Sequence, residues 1–269
     1  MKHLAVAFGL SLSVLTSPAW ALGAGDDDSE RLARWKEIQT SIFGERKLEA
    51  TEAMVKIDAP NRAMDASLVP ITLTMPEKDK ITGLHLVIDD NPSPYAAKFT
   101  FGPAADPGEI KLRVRVNNYT NIHAIAETKD GKLLETVKFV KASGGCSAPM
   151  GMTDEEAMKG MGEMRMKFAG DAAPGKPMEA TLMIRHPNFS GMQMNQVTRD
   201  YTPARYITKV EVSRGSSNVF TLDGDISISS NPVIGFSFVP EGKEPIRVVA
   251  IDNQNGRWEH SFTAPAVSN

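Results

Sequence analysis

The chain has 269 residues, of which 41% are hydrophobic and only 7% aromatic, and its formal net charge is −3. A mildly acidic chain gives no electrostatic reason to expect a nucleic acid partner, because phosphate backbones attract basic surfaces. The length suits two domains of ordinary size. The scarcity of aromatic residues predicts that aliphatic side chains fill both cores.

The N-terminus predicts export. The basic residue Lys2 precedes an apolar stretch from Leu4 to Leu15, and Pro18-Ala19-Trp20-Ala21 follows. This order is typical of a secretory signal peptide, so we expect one at residues 1–21 with cleavage after Ala21. Neither this stretch nor any later one is long enough for a permanent membrane helix. We therefore expect an exported protein without a membrane span, most simply in a bacterial periplasm.

A helix is expected after the Gly-Asp-rich segment at 23–28. Ser29 is a plausible N-cap, Gly44 a plausible terminator, and apolar residues recur between them at three- and four-residue spacing. The apolar positions are Leu32, Trp35, Ile38 and Ile42. This pattern predicts a helix over residues 30–42 with one apolar face.

Short alternating runs then predict strands in both halves of the chain. The first half contains Val69–Met75, Leu84–Ile88, Lys98–Phe101, Lys111–Val116, Ala124–Thr128 and Thr136–Val140, with a hairpin turn at 129–132. The second half contains Met164–Phe168, Met178–Arg185, Ile207–Ser213, Val219–Leu222, Asp225–Ser229, Ile234–Val239, Ile246–Ile251 and Trp258–Phe262, with a hairpin turn at 252–256. No helical crossovers separate these runs, which argues against a parallel α/β sheet. The pattern predicts an all-β protein: two immunoglobulin-like β-sandwich domains in tandem, at residues 26–142 and 163–269, with an N-terminal helix.

The segment at 143–162 is expected to be a linker rich in glycine and methionine, and it carries Cys146, the only cysteine of the chain. Thr153 and Glu156 match a capping box and predict a short helix. An exported protein with one cysteine offers either an intermolecular disulfide or a free thiol. Because Gly144 and Gly145 precede Cys146, we expect a mobile, solvated arm with a chemically used thiol. A Cys146-linked homodimer stays open.

Several short motifs, in order, resemble a known family. In the first half they are residues 57–70, Asn91-Pro92-Ser93-Pro94 with Phe99-Thr100-Phe101, and Gly144-Gly145-Cys146; in the second half they are His186-Pro187, residues 229–232, and Asp252-Asn253 with Gly256. Together they resemble a fusion of the SoxY and SoxZ subunits of periplasmic sulfur oxidation, specifically the SoxYZ-like carriers associated with quinoprotein dehydrogenases. The chain departs from the pattern at Ser147-Ala148-Pro149, which replaces the terminal glycines of the SoxY arm, and at Asn188-Phe189-Ser190-Gly191.

This resemblance implies a carrier without catalytic residues or a cofactor. Cys146 would hold thiosulfate or another sulfur compound covalently, Gly144 and Gly145 would make its arm flexible, and separate enzymes would process the cargo. Those partners would be periplasmic sulfur-oxidising enzymes or a quinoprotein dehydrogenase system. The residues around Cys146 offer no strong activation of its thiol, which agrees with a carrier and argues against a self-sufficient cysteine hydrolase.

Two alternatives stay open. Soft sulfur ligands select Cu(I), so Cys146 with Met150, Met152, Met158 and Met161 could form a copper-binding or delivery module. The plainer interpretation of these methionines is core packing or an adaptable interface. In the other alternative, the chain is an accessory binding protein of a quinoprotein dehydrogenase and the cysteine is incidental.

The remaining polar candidates predict little chemistry. The histidines lack the spacing of metal ligands, and we found neither a nucleophile elbow nor a phosphate-binding glycine loop. His85 is expected in a core or on a sheet face, and His123 on the surface. Asp89-Asp90 could bind a cation, but a solvated turn is the plainer expectation.

Overall fold

A computed structural model describes residues 28–170, 173, 175–195, 198–240 and 244–265. The predicted signal peptide lies outside this part of the chain. The helices are α1 (Asp28–Phe43) and α2 (Asp154–Met158), with a 3₁₀ turn at Lys78–Lys80. In the described residues, neither helix combines the length and apolarity needed to cross a bilayer.

Fifteen strands form within the described residues. They are β1 Leu48–Ala50, β2 Lys56–Asp58, β3 Val69–Thr74, β4 Ile81–Ile88, β5 Tyr95–Phe101, β6 Ala105–Val114, β7 Thr120–Thr128, β8 Leu133–Val140, β9 Met164–Ala169, β10 Met178–Ile184, β11 Ile207–Arg214, β12 Ser217–Gly224, β13 Val233–Phe238, β14 Ile246–Asp252 and β15 Arg257–Phe262. They make a nine-stranded sheet, in the order β1-β8-β7-β4-β5-β12-β11-β14-β15, and a six-stranded sheet, in the order β2-β3-β6-β13-β10-β9. The predicted all-β class with an N-terminal helix is confirmed.

Each sheet runs through both halves of the chain. In the larger sheet β5 pairs with β12 in antiparallel register, with Phe101 opposite Phe220. In the smaller sheet β6 pairs with β13, with Lys111 opposite Gly235. One cluster of buried aliphatic and phenylalanine side chains includes residues from both halves. The sequence pattern predicted two sandwiches in tandem, and the structure joins them edge to edge through hydrogen-bonded strands.

Helix α1 packs on the first half through part of the predicted apolar face. Trp35, Ile38 and Ile42 lie against a small cluster that includes Val87 and Ile125. Leu32, which was expected on the same face, is 68% exposed. Ser29, the expected N-cap, lies inside the helix, which begins at Asp28.

The structure differs from the sequence pattern at three short segments: β1, β2 and residues 225–229. Strands β1 and β2 were not predicted, because three residues are too few to show an alternating pattern. The segment 225–229, predicted as a strand, is a turn in which the Ile228 amide donates to the Asp225 carbonyl at 3.0 Å. The Asp225 side chain favours this turn because it accepts from the Ile226 amide at 2.6 Å. The predicted capping box is confirmed: Thr153 and Glu156 each accept a hydrogen bond from the other's amide at the start of α2.

Candidate functional site

Cys146 lies buried between the two halves of the chain, with none of its surface exposed. The expectation of a solvated arm is therefore wrong for this structure. The Gly144 amide donates to the Asn117 carbonyl at 2.8 Å, and the Gly145 amide donates to the Val116 carbonyl at 3.1 Å. These bonds hold the loop that carries Cys146 (residues 143–147, the cysteine loop) against the chain that follows β6.

The two glycines allow this close approach. Gly144 has a φ of +74°, a conformation that side-chain-bearing residues rarely adopt. A Cβ on Gly145 would lie 2.0 Å from the Ala66 carbonyl oxygen, well inside contact distance. Their role in this structure is to bring the backbone close enough to bury Cys146; flexibility of the loop stays a prediction.

The second half of the chain covers the cysteine loop through Ser190. Its hydroxyl donates to the Cys146 carbonyl at 2.5 Å. The Gln193 side chain accepts from the Ser190 amide at 2.9 Å and so holds the serine in place. Both residues are buried. Sequence reasoning noted this segment only as a departure from the family pattern and missed its contact with the cysteine.

Asn188 shapes the turn that presents Ser190. It is buried and has a positive φ of 44°, which asparagine tolerates better than most residues. Its side chain donates to the Ser229 carbonyl at 3.1 Å and accepts from the Ile207 amide at 3.1 Å. Its amide donates to His186 Nδ1 at 3.0 Å, so that nitrogen carries no proton. Burial lowers the pKa of His186, which agrees with a neutral ring.

The motifs of the second half converge around His186. The Asn231 side chain accepts from the His186 amide at 3.1 Å, and the Asn231 amide donates to the His186 carbonyl at 2.7 Å. Asp252 Oδ2 lies 3.5 Å from His186 Nε2. Asp252 also accepts from the Gly256 amide at 2.6 Å. Segments that are distant in sequence therefore build one support beneath the turn at 188–190.

A buried arginine, Arg115, precedes Val116, the residue that accepts the hydrogen bond of Gly145. Its side chain is 1% exposed, and one terminal nitrogen donates to the carbonyls of Ile226 (3.0 Å) and Ile228 (2.7 Å). The other terminal nitrogen lies 3.5 Å from the Pro187 carbonyl, and Nε is buried without a hydrogen-bond partner. Within the described part of the chain, no carboxylate forms an ion pair with Arg115.

Sequence reasoning missed Arg115 because residues 111–114 alternate between polar and apolar side chains. Lys111 and Arg113 are expected to point to solvent, and the same alternation predicts that Arg115 does so too. Strand β6 ends at Val114, and the chain turns there. The Asn91 side chain donates to the Arg115 carbonyl at 2.7 Å and accepts from the Asn117 amide at 2.8 Å, which fixes the new direction. Asn91 belongs to the Asn-Pro motif noted in the sequence.

Arg115 and Cys146 influence each other electrostatically. Burial raises the pKa of the Cys146 thiol to about 11, although the nearby Arg115 charge favours the thiolate. Burial lowers the pKa of Arg115 to about 10, and a negative charge on Cys146 opposes that shift. At neutral pH the site therefore holds a neutral thiol beside a charged guanidinium.

A groove with a volume of about 880 Å³ begins three residues after Cys146. Met150 and Met152 line it together with Met194 and the acidic start of α2. Asp154 accepts from the Thr202 hydroxyl at 2.9 Å across the groove. Met158 and Met161, the other two methionines of the copper alternative, are partly buried and are not among its lining residues. No group of three or more His, Cys, Asp or Glu side chains suited to a metal is present in the described residues.

Two of the minor sequence expectations are wrong. His123 is 2% exposed rather than on the surface, and Asp89 is 3% exposed rather than in a solvated turn. The two side chains contact each other, with His123 Nε2 3.0 Å from Asp89 Oδ2. His85 is buried on a strand, as expected.

The family comparisons agree with this arrangement. The model of sulfur oxidation protein SoxY matches residues 39–146, and that of sulphur oxidation protein SoxZ matches residues 165–263. The chain belongs to the SoxY and SoxZ families, one in each half. The predicted resemblance to SoxY and SoxZ is thereby confirmed, while the association with quinoprotein dehydrogenases stays a prediction. The SoxY match ends at Cys146.

Comparison with solved structures returns proteins of several kinds. The sulfur carrier protein SoxY from Chlorobium limicola f thiosulfatophilum is 25% identical, with a TM-score of 0.37, over 42% of this chain and 96% of its own. A glucan-utilisation protein, SGBP-B, from Bacteroides ovatus is 16% identical, with a TM-score of 0.23, over 80% of this chain and 48% of its own. A β-glycosidase from Bacteroides vulgatus is 8% identical, with a TM-score of 0.22, over 80% of this chain and 25% of its own. No curated protein matches the chain in sequence.

Proposed function

We propose that this SoxY–SoxZ tandem is a periplasmic carrier of sulfur oxidation that holds its cargo covalently on the Cys146 thiol. The observation that carries the proposal is the position of Cys146. It is the only cysteine of the chain, it lies where the SoxY match ends, and residues from both halves hold its loop. Export through the N-terminal signal at 1–21 is part of the same proposal.

The chemistry of loading requires a partner. Joining a thiol to thiosulfate forms one sulfur–sulfur bond, releases the thiol proton and removes two electrons: RSH + S₂O₃²⁻ gives RS–S₂O₃⁻ + H⁺ + 2e⁻. With one cysteine, the chain has no internal disulfide to accept those electrons. A partner oxidoreductase must therefore take them. We propose that periplasmic sulfur-oxidising enzymes accept these electrons. A quinoprotein dehydrogenase system is the alternative electron acceptor.

Burial of the thiol gives the carrier a closed state. The thiolate is the reactive form, and burial disfavours it. In an oxidising compartment a neutral, covered thiol resists unwanted oxidation and disulfide exchange. Loading then requires that the cysteine loop leave its place, which breaks the hydrogen bonds of Gly144, Gly145 and Ser190. A Cys146-linked homodimer requires the same opening.

Intact mass measurement tests the proposal. The chain is purified from its native host during growth on reduced sulfur compounds, beside Cys146→Ser and Ser147→Ala, a matched change at an exposed position of the same loop. We expect sulfur-containing adducts on the native chain and on Ser147→Ala, and none on Cys146→Ser. A native chain recovered only as the unmodified thiol, with the loading enzymes active, would contradict the proposal.

The partners are tested on the same samples. Affinity purification of the native chain should recover sulfur-oxidising enzymes, and Gly145→Ala, which is designed to open the loop, should recover more of them. Recovery of only a quinoprotein dehydrogenase, equally with the native chain and Cys146→Ser, would instead favour an accessory protein whose cysteine is incidental.

A further inference from the structure

Arg115 is a buried cation without a matching anion. Its side chain is 1% exposed, and its contacts are three main-chain carbonyls, which are dipoles and carry no full charge. Its Nε is buried with no acceptor. A buried charge is costly unless it is paired. An apolar side chain of similar volume would fill the same space without this cost.

A negative charge at Cys146 would favour the charged form of Arg115, so the two groups lie within electrostatic range of each other. The cysteine loop and Arg115 also share their supports. The Gly145 amide donates to the carbonyl of Val116, the residue after Arg115, and the Arg115 side chain approaches Pro187, three residues before Ser190. Arg115 therefore adjoins Val116, which holds the cysteine loop from the first half, while its guanidinium reaches the segment that leads to Ser190 in the second half.

We propose that Arg115 is the counter-ion of an anionic cargo carried on Cys146 and that it retains such a cargo in the closed state. The inference rests on the proposed carrier function and adds a specificity to it. The cargo would be an S-conjugate that ends in a sulfonate, whose oxygens accept charge-assisted hydrogen bonds. The unpartnered Nε–H of Arg115 supplies a donor for one of them.

This arrangement separates anionic from neutral or cationic cargo. Guanidinium groups suit flat or trigonal oxyanions because several donors lie in one plane. A neutral alkyl conjugate would leave the guanidinium unpaired, and a cationic one would add repulsion in an environment of low dielectric constant. The closed loop should therefore protect a sulfonate conjugate better than a cationic conjugate of the same length.

Chemical loading tests this preference without any partner enzyme. Cys146 is modified with 2-sulfonatoethyl methanethiosulfonate or with 2-(trimethylammonio)ethyl methanethiosulfonate. In both reactions the thiolate attacks the sulfenyl sulfur, a disulfide forms, and methanesulfinate leaves with the electron pair of the broken sulfur–sulfur bond. The two adducts have the same linker and opposite charges. Dithiothreitol then releases each adduct through attack of its thiolate on the disulfide, and the release rate is measured for the folded chain and for the chain unfolded in urea.

In the folded native chain we expect release of the sulfonate adduct to be about tenfold slower than release of the cationic adduct, after correction by the rates in urea. Arg115→Gln should bring that ratio close to one, and Arg115→Lys should keep part of it. Arg113→Gln is the matched control because it removes a positive charge two residues earlier, and it should leave the ratio unchanged.

Equal release rates of the two adducts from the folded native chain would overturn the proposal. This comparison uses only the native chain, so it does not depend on a variant that could fail to fold. A ratio unchanged in a folded Arg115→Gln variant also overturns it. Since loading is chemical, the outcome is independent of the native mass measurement. A charge preference without native adducts would leave Arg115 as an anion partner and reject only the carrier function.

Discussion

The Ser190 hydroxyl, in the SoxZ half, donates a 2.5 Å hydrogen bond to the main-chain carbonyl of Cys146, at the end of the SoxY half. This bond links the stability of the closed cysteine loop to the turn at 188–190 of the other half. In a fused chain the two halves are always present together, so the contact does not depend on subunit concentration. The SoxZ half therefore helps to determine how often Cys146 becomes accessible.

The first prediction concerns the Cys146 thiol in the folded chain. Its pKa of about 11 lies two units above the ordinary value of 9.0 and lowers the thiolate fraction at pH 7 by about a hundredfold. We expect iodoacetamide to alkylate the folded chain at least about a hundredfold more slowly than the urea-unfolded chain. Similar rates in the two states would mean that the loop is open most of the time.

Ser190→Ala should increase the rate of that alkylation. Loss of one buried hydrogen bond costs about 1 kcal/mol, which raises the open population of the loop roughly fivefold. Ser147→Ala is the control, because Ser147 is exposed and its hydroxyl donates a long, 3.4 Å hydrogen bond to the Gly144 carbonyl within the loop itself, not to the second half. Urea denaturation of both variants separates loop opening from a general loss of stability. No change in rate on Ser190→Ala would show that the bond does not hold the loop.

Gly145→Ala should open the loop by a steric route. The new Cβ would lie 2.0 Å from the Ala66 carbonyl and 2.6 Å from the Val116 carbonyl, so the loop must move. Overpacking of this kind costs typically about 1–3 kcal/mol, so alkylation of Cys146 should accelerate roughly five- to hundredfold. Gly151→Ala is the control for backbone strain without a clash: its φ of +71° disfavours a side chain, but nothing lies within 4 Å of its Cβ, whereas the φ of Gly145 is not positive. Equal acceleration in the two variants would show that the clash at Gly145 is not what opens the loop.

The sequence indicated much of the fold and the identity of the site residue, but not the environment of that residue. Alternating runs located most strands because half-buried strands repeat with period two. The run Gly144-Gly145-Cys146-Ser147 carries no sign that Asn117, Val116 and Ser190 cover it. Those contacts come from segments up to 44 residues away in sequence and become visible only in the folded chain.

Arg115 and His123 were missed for a related reason. Local composition predicts exposure for charged residues and for histidine in polar surroundings. Whether such a side chain is buried depends on partners from other strands, such as the carbonyls of Ile226 and Ile228 for Arg115. The edge-to-edge pairing of β5 with β12 could not be predicted from the sequence either. Period-two alternation shows which side chains share a face of a strand, but it does not show which distant strands pair or in which register.

The shared sheets predict that the two halves unfold together. Phe220 of β12 is 1% exposed, and its ring centroid lies 5.6 Å from that of Phe99 on β5. Phe220→Ala should lower the free energy of unfolding by about 3–5 kcal/mol. Single-tryptophan variants that keep either Trp35 in the first half or Trp258 in the second half report each half separately. Their midpoints in urea should shift equally, and separate midpoints would show independent domains.

Phe262→Ala provides the matched control for the strand pairing. Phe262 is partly buried at the end of β15, on the far edge of the larger sheet. Its loss should reduce stability less than Phe220→Ala does, because a partly exposed ring leaves a smaller cavity. A larger effect from Phe262→Ala would mean that the core between the halves contributes little.

The last prediction concerns stability against pH at His123. Nδ1 of His123 lies 2.7 Å from Glu135 Oε1, Nε2 lies 3.0 Å from Asp89 Oδ2, and the ring stacks on Trp35 of α1 at 3.6 Å. Burial opposes the charged ring, but the hydrogen bonds and negative charges of the two carboxylates outweigh it, and the pKa of His123 is raised above 6.5. The stabilisation by charged His123 is therefore complete below about pH 6.5 and is lost as the pH rises through the raised pKa of His123 in the folded state.

His123→Gln should lower the free energy of unfolding by roughly 3–5 kcal/mol at pH 6, because it leaves buried carboxylates without their partner. The difference in unfolding free energy between the native chain and the variant should shrink at higher pH. Urea denaturation between pH 6 and pH 9 measures this difference. His85→Gln is the control, because burial lowers the pKa of His85. The His85→Gln variant should therefore still lose stability as the pH rises, as the native chain does. A constant difference between the native chain and His123→Gln across this range would show that His123 does not change its charge there.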